Sequence, residues 1–132
     1  MKKLAVLILL LSASTQAMAA DLCTTLQGKR LSINGNGYAN GVTGKIVLQG
    51  PQNGTYSFQT TVQFPGEPAD KVAGTCKNRR IAFARTRPGS FVQGYDGWIF
   101  EKNPNGMAGV FSAHWNLPKQ YGWYAQMQPV AN

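Results

Sequence analysis

Asn-Gly occurs five times in this chain, at Asn34-Gly35, Asn36-Gly37, Asn40-Gly41, Asn53-Gly54 and Asn105-Gly106. The pair accepts positive φ at both central positions of a two-residue hairpin, which lets two twisted strands meet. Further breaks fall at Phe64-Pro65-Gly66, Arg87-Pro88-Gly89 and Leu117-Pro118. Fifteen Gly and seven Pro in 132 residues act in the same direction, because both residues interrupt helix interiors. A helix bundle is therefore excluded, and a chain of short strands is expected.

Between the breaks the apolar residues alternate. Tyr56, Phe58, Thr60, Val62 and Phe64 share one face against Ser57, Gln59, Thr61 and Gln63, and Val42, Gly44, Ile46 and Leu48 oppose Thr43, Lys45 and Gln49. A period of two places one face of each strand on a core. Eight strands are predicted, at about 25–33, 42–49, 55–64, 71–77, 79–87, 91–101, 107–116 and 121–128. Short links make sequential strands antiparallel neighbours. An open meander would leave two unpaired edges, and closure removes both. The expected fold is all-β, an antiparallel up-and-down meander closed into a small eight-stranded barrel, with a two-sheet sandwich as the competing arrangement.

Residues 1–20 read as a signal peptide and 21–132 as one barrel domain. Met1-Lys2-Lys3 is cationic, Leu4 to Leu11 is apolar, and Ala17-Met18-Ala19 suits a small-x-small cleavage site. The apolar run is about half the ~20 residues a membrane span needs. The expected location is periplasmic or secreted, without membrane insertion. Losing Lys2 and Lys3 leaves eleven basic and five acidic residues, a net charge of +6. Cys23 and Cys76 are the only cysteines. In an exported chain they are expected to pair, closing a loop of roughly 53 residues worth ~4 kcal/mol by chain entropy.

With Leu26-Gln27-Gly28 leading into the first strand, and with its length, strand count and Gly-rich hairpins, the chain resembles the avidin and lipocalin barrels. Arg30 stands two residues after Gly28, where both families place a Trp. What the resemblance implies is therefore the architecture alone, a barrel whose open mouth accepts a small molecule.

Catalytic chemistry finds little support. His114 is the only histidine, so it forms no usual zinc set, and neither metal nor cofactor is expected. Ser112 or Ser90 with His114 and Asp96 form a triad on paper, but no nucleophile-elbow pattern accompanies them. The acids are Asp21, Glu67, Asp70, Asp96 and Glu101. Glu67 and Asp70 fall in a Pro-Gly turn and read as surface groups. Asp96 and Glu101 share a predicted strand with opposite parity. The chain is expected not to be an enzyme.

Two features point to binding. Lys77 to Arg87 holds five of the eleven basic residues of 21–132. Arg79, Ile81, Phe83, Arg85 and Arg87 share one face, and Arg80, Ala82, Ala84 and Thr86 the other. With Ile81 and Phe83 inward, Arg85 presents its guanidinium at a barrel end, suited to a carboxylate or phosphate. With the alanines inward, the basic groups form an outer stripe. The second feature is aromatic: Tyr95, Trp98, Phe100, Phe111, Trp115, Tyr121, Trp123 and Tyr124 all fall on the last three predicted strands. The candidate ligand-binding residues are Arg85, Tyr95, Trp98, Trp115, Trp123 and Tyr124. A small or acidic ligand is the expected partner. A protein partner, met through loops or a basic and aromatic surface, is the alternative. Nucleic acid is disfavoured by export.

Overall fold

A computed structural model describes residues 21–35, 40–112 and 120–128. The strands are β1 (Arg30–Gly35), β2 (Gly41–Thr43), β3 (Val47–Gln52), β4 (Thr55–Gln63), β5 (Asp70–Lys77), β6 (Arg80–Arg87), β7 (Phe91–Ile99), β8 (Gly106–Ser112) and β9 (Gln120–Gln128). β2 and β3 are two pieces of one stave, interrupted at 44–46. Both lie along β4, and β2 also pairs with β1. β1 joins β9 over six residue pairs, from Arg30 opposite Gln128 to Gly35 opposite Trp123. Every stave thus has two neighbours, and the fold is a closed, antiparallel, eight-stave barrel.

The turn chemistry explains the hairpins only in part. Asn53 (φ 52°) and Gly54 (φ 78°) form the two-residue link between β3 and β4, as Asn-Gly predicts. Asn34-Gly35 instead lies within β1, and Asn40-Gly41 opens β2. The tight link between β5 and β6 is made by Asn78 (φ 57°) and Arg79. Asn tolerates this left-handed conformation better than most side chains.

The start of the domain departs from expectation. Residues 25–29 are not strand. Leu22–Leu26 forms a 3₁₀ segment, and β1 begins only at Arg30. The cause is local. The Asp21 carboxylate accepts from the Cys23 amide at 2.9 Å, and the hydroxyls of Thr24 and Thr25 donate to the Asp21 and Leu22 carbonyls. Such side-chain bonds cap a helical turn and compete with strand pairing. Leu26 is fully buried, and Cys23 is tied to Cys76 on β5 by a disulfide. The segment crosses one end of the barrel as a plug. Such a disulfide suits an oxidising compartment. No helix among the described residues is long and apolar enough to cross a membrane.

Inside, Leu31, Phe58, Val62, Ile81, Ile99, Met107 and Met127 are buried among the inward side chains. The mid-barrel is pinched where Gly97 faces Gly109. A Cβ on Gly97 would lie 2.7 Å from Trp123 Cζ2, and one on Gly109 would overlap the Asp96 carbonyl. Glycine at 97 lets the indole lie directly over the strand pair, and glycine at 109 lets β8 approach the β7 backbone closely; the Trp123 Nε1–H donates to the carbonyls of Asp96 (3.2 Å) and Val110 (3.1 Å). Gly94 and Gly122, by contrast, border open space.

Candidate functional site

The end opposite the plug carries the starts of β5 and β7 and the end of β6. Parity on β6 is settled by burial. Ile81, Phe83 and Arg85 point inward, so Arg85 lies near the rim, the first of the two arrangements expected for this strand. On β5 the inward set is Asp70, Val72 and Cys76. Asp70 opens that strand, opposite Val62, and is 1% exposed. The expectation of a surface acid in a turn is corrected here, because the chain re-enters the sheet two residues after Pro68 with Asp70 on the inner face.

Asp70 organises the rim. Arg85 Nε donates to its Oδ2 at 2.6 Å, Arg87 Nε to Oδ1 at 2.7 Å and Arg87 Nη2 to Oδ2 at 3.1 Å. Arg85 Nη1 donates to Gln93 Oε1 (3.1 Å), which also accepts from the Tyr95 hydroxyl (2.9 Å). The Arg85 guanidinium lies over the rings of Phe64 (4.3 Å) and Phe91 (5.0 Å). Glu67 reaches Arg87 at 3.6 Å. Burial alone would raise the Asp70 carboxyl, but the hydrogen bonds and charges of Arg87 and Arg85 outweigh it and hold the group below its ordinary value. Burial pushes the Tyr95 phenol above its ordinary range, against the pull of Arg85.

One wall is a ladder of rings. Phe83, Tyr95, Phe111 and Tyr121 are register partners on β6 to β9. Phe83 and Tyr95 stack at 4.6 Å, Tyr95 and Phe111 at 4.9 Å, and Phe111 meets Tyr121 at 5.6 Å. Such cross-strand ring pairs add stability beyond their burial. Trp123 stands edge-on to Phe83 and Tyr95 and closes the space beneath. Above it a cavity of about 380 Å³ opens at the rim, bounded by Phe64, Arg85, Phe91, Gln93, Tyr95 and Phe111 among others. The barrel is filled at Trp123 and hollow beside Arg85. Gly35 contributes to the hollow, since a Cβ there would lie 3.1 Å from Phe111 Cε1.

Of the residues singled out from the sequence, Arg85 and Tyr95 line this cavity and Trp123 lies below it. Trp98 and Tyr124 face outward, 47% and 55% exposed, and are not part of it. Trp115 and His114 lie outside the described residues. On the outer wall Trp98 is flanked by the guanidiniums of Arg79 (4.9 Å) and Arg80 (5.5 Å). Arg80 also holds Asp96 at 2.7 Å. Asp96 thus faces away from the lumen, and Ser90 lies in the turn between β6 and β7. Glu101 lies beyond the end of β7 and meets Arg79. Sequence reasoning misses Asp70, Phe64, Phe91 and Gln93. The inward parity of Asp70 with Val72 and Cys76 is the available signal.

Fold and site together define a β-barrel closed at one end by a disulfide-anchored plug and, among the described residues, opening at the other onto an arginine-bearing aromatic cavity. No protein-family model, no curated protein and no solved structure matches the chain.

Proposed function

We propose that this is an exported, non-catalytic binding protein whose barrel mouth holds a small or acidic ligand. The observation that carries the reading is the cavity of about 380 Å³ at the rim, where Arg85 meets Phe64, Phe91, Tyr95 and Phe111. Its size falls in the ordinary range for small-molecule sites, and its mixture of rings with few polar groups is the usual composition. The cup-like form also suits the resemblance to avidin and lipocalin barrels. Residues 1–20 would direct export, in keeping with a disulfide. The mouth offers hydrogen bonds and apolar contact, and we assign it no bond-making step.

A thermal-shift screen of small acids and sugars against wild type and Arg85→Ala tests the reading. A ligand at a hundred times its Kd adds about 2.7 kcal/mol, or roughly 10 °C in a domain of this size. The shift is expected in wild type and strongly reduced in Arg85→Ala. A screen in which no compound stabilises wild type ends the proposal.

A second reading, a secreted protein-interaction module, draws support from the outer wall. Trp98, Ala108 and Tyr124 are register partners on β7, β8 and β9, with Val110 and Phe100 also exposed nearby. Exposed aromatics grouped in this way are characteristic of protein contacts. Pull-down from extracellular fractions would then recover a partner at fixed stoichiometry, and Trp98→Ser with Tyr124→Ser would abolish recovery. Equal recovery by that variant would remove the outer wall from consideration.

A further inference from the structure

Given the mouth as a ligand site, on which the inference rests, the rim also selects a ligand class. Three of its features constrain the occupant: its volume, its walls and its charge balance.

The volume of about 380 Å³, at about 30 Å³ per water-sized group, accommodates about a dozen non-hydrogen atoms. The walls are aromatic. Tyr95 is stacked between Phe83 and Phe111 with planes within 12° and so turns a ring edge to the cavity, and Phe64 and Phe91 flank the Arg85 guanidinium. An aromatic ligand can take such edges on its ring face, the edge-on arrangement that ring pairs favour.

Among the described residues the charges pair off, with Arg85 and Arg87 facing Asp70 and Glu67. Yet Arg85 is not saturated. Of its five N–H donors, Nε is committed to Asp70 and one on Nη1 to Gln93, and the guanidinium also pulls on the Tyr95 hydroxyl. Every fully buried side-chain polar atom among the described residues has a partner. Donors on the terminal nitrogens remain over at the edge of the cavity that Arg85 lines. A single carboxylate can take a charge-assisted hydrogen bond there. A second negative charge would stand uncompensated beside Asp70 and Glu67 in a partly desolvated space.

We infer that the mouth is built for a compact aromatic monocarboxylate of about a dozen non-hydrogen atoms, its carboxylate on Arg85 and its ring among Phe64, Phe91, Tyr95 and Phe111. The net charge of +6 on residues 21–132 favours approach of any anion. Discrimination between anions is then a property of the rim.

The experiment is titration calorimetry on the intact, oxidised protein with four probes. They are 3-phenylpropionate, its neutral amide, 3-cyclohexylpropionate and phenyl phosphate. The acid is expected to bind at least tenfold tighter than each of the other three. Indole-3-acetate, a larger acid of the same class, should bind comparably, and Phe91→Ala should weaken both acids about tenfold. The ranking is read on wild type, so it stands whether or not an Arg85 variant folds. If the amide, the cyclohexyl acid or the phosphate matches or exceeds the aromatic acid, the assignment of class is overturned while the mouth remains a ligand site. If none of these probes binds but the wider screen finds a stabilising compound, the class is again overturned. If the screen is empty as well, both readings fall.

Discussion

Asp70→Asn will destabilise the barrel by about 3 kcal/mol, because it removes the one carboxylate that both rim arginines hold. The carboxylate is fully buried and Arg85 nearly so. The neutral amide would leave the Arg85 charge with little solvent to replace its partner. Breaking a buried pair is costly for that reason, even where forming it gained little over an apolar core. Urea denaturation of wild type and variant measures the difference. A loss below about 1 kcal/mol would mean that water reaches Arg85 freely, in which case the pair counts only as a surface bridge.

The same carboxylate sets an acid limit. Its folded pKa lies below the ordinary 3.8, so the unfolded chain binds the proton more readily. Its contribution is complete above the ordinary carboxylate range and is lost as pH falls through the folded value. Stability is therefore expected to hold level from neutrality to about pH 5 and to decline below pH 4. In Asp70→Asn the acid-side slope becomes shallower. An unchanged slope in the variant would assign the acid sensitivity to other groups.

Replacing both cysteines with serine will cost ~4 kcal/mol, the chain-entropy value for closing 53 residues. Small domains have only about 5–15 kcal/mol in total. The loss should appear as a much lower urea midpoint, and reductant should bring wild type toward the same midpoint. The damage will begin at the plug, since the 3₁₀ segment depends on Cys23, on Leu26 and on the hydrogen bonds of Asp21. Equal midpoints for the oxidised protein and the double variant would show that apolar burial of Leu26 suffices to hold the plug.

The barrel is legible in the sequence because its evidence is periodic. Residues 55–64 alternate without interruption, and β4 runs from Thr55 to Gln63. The Cys23–Cys76 pair follows from there being two cysteines and an apparent export signal. Where side-chain capping competes with strand pairing, as at Asp21 to Leu26, periodicity carries no information and the 3₁₀ plug reads as strand. The site is half legible. Arg85 and Tyr95 stand out by residue type, but Trp98 and Tyr124 have the opposite parity to the lumen. Each strand offers two faces, and only its neighbours decide which one is enclosed. Asp70 resembles a turn residue in its local setting, while its role depends on two arginines fifteen and seventeen residues onward that meet it only across a hairpin.

The plug has a geometric corollary. The described chain starts at Asp21 beside Cys23, and β9 ends with Gln128 opposite Arg30, so Asp21 and Gln128 both lie at the sealed base. A tag, a lipid or a fusion partner joined directly at Asp21 or Gln128 would stand on the side away from the rim. Immobilised in that way, the molecule would stand upright on its support with its opening turned to the medium.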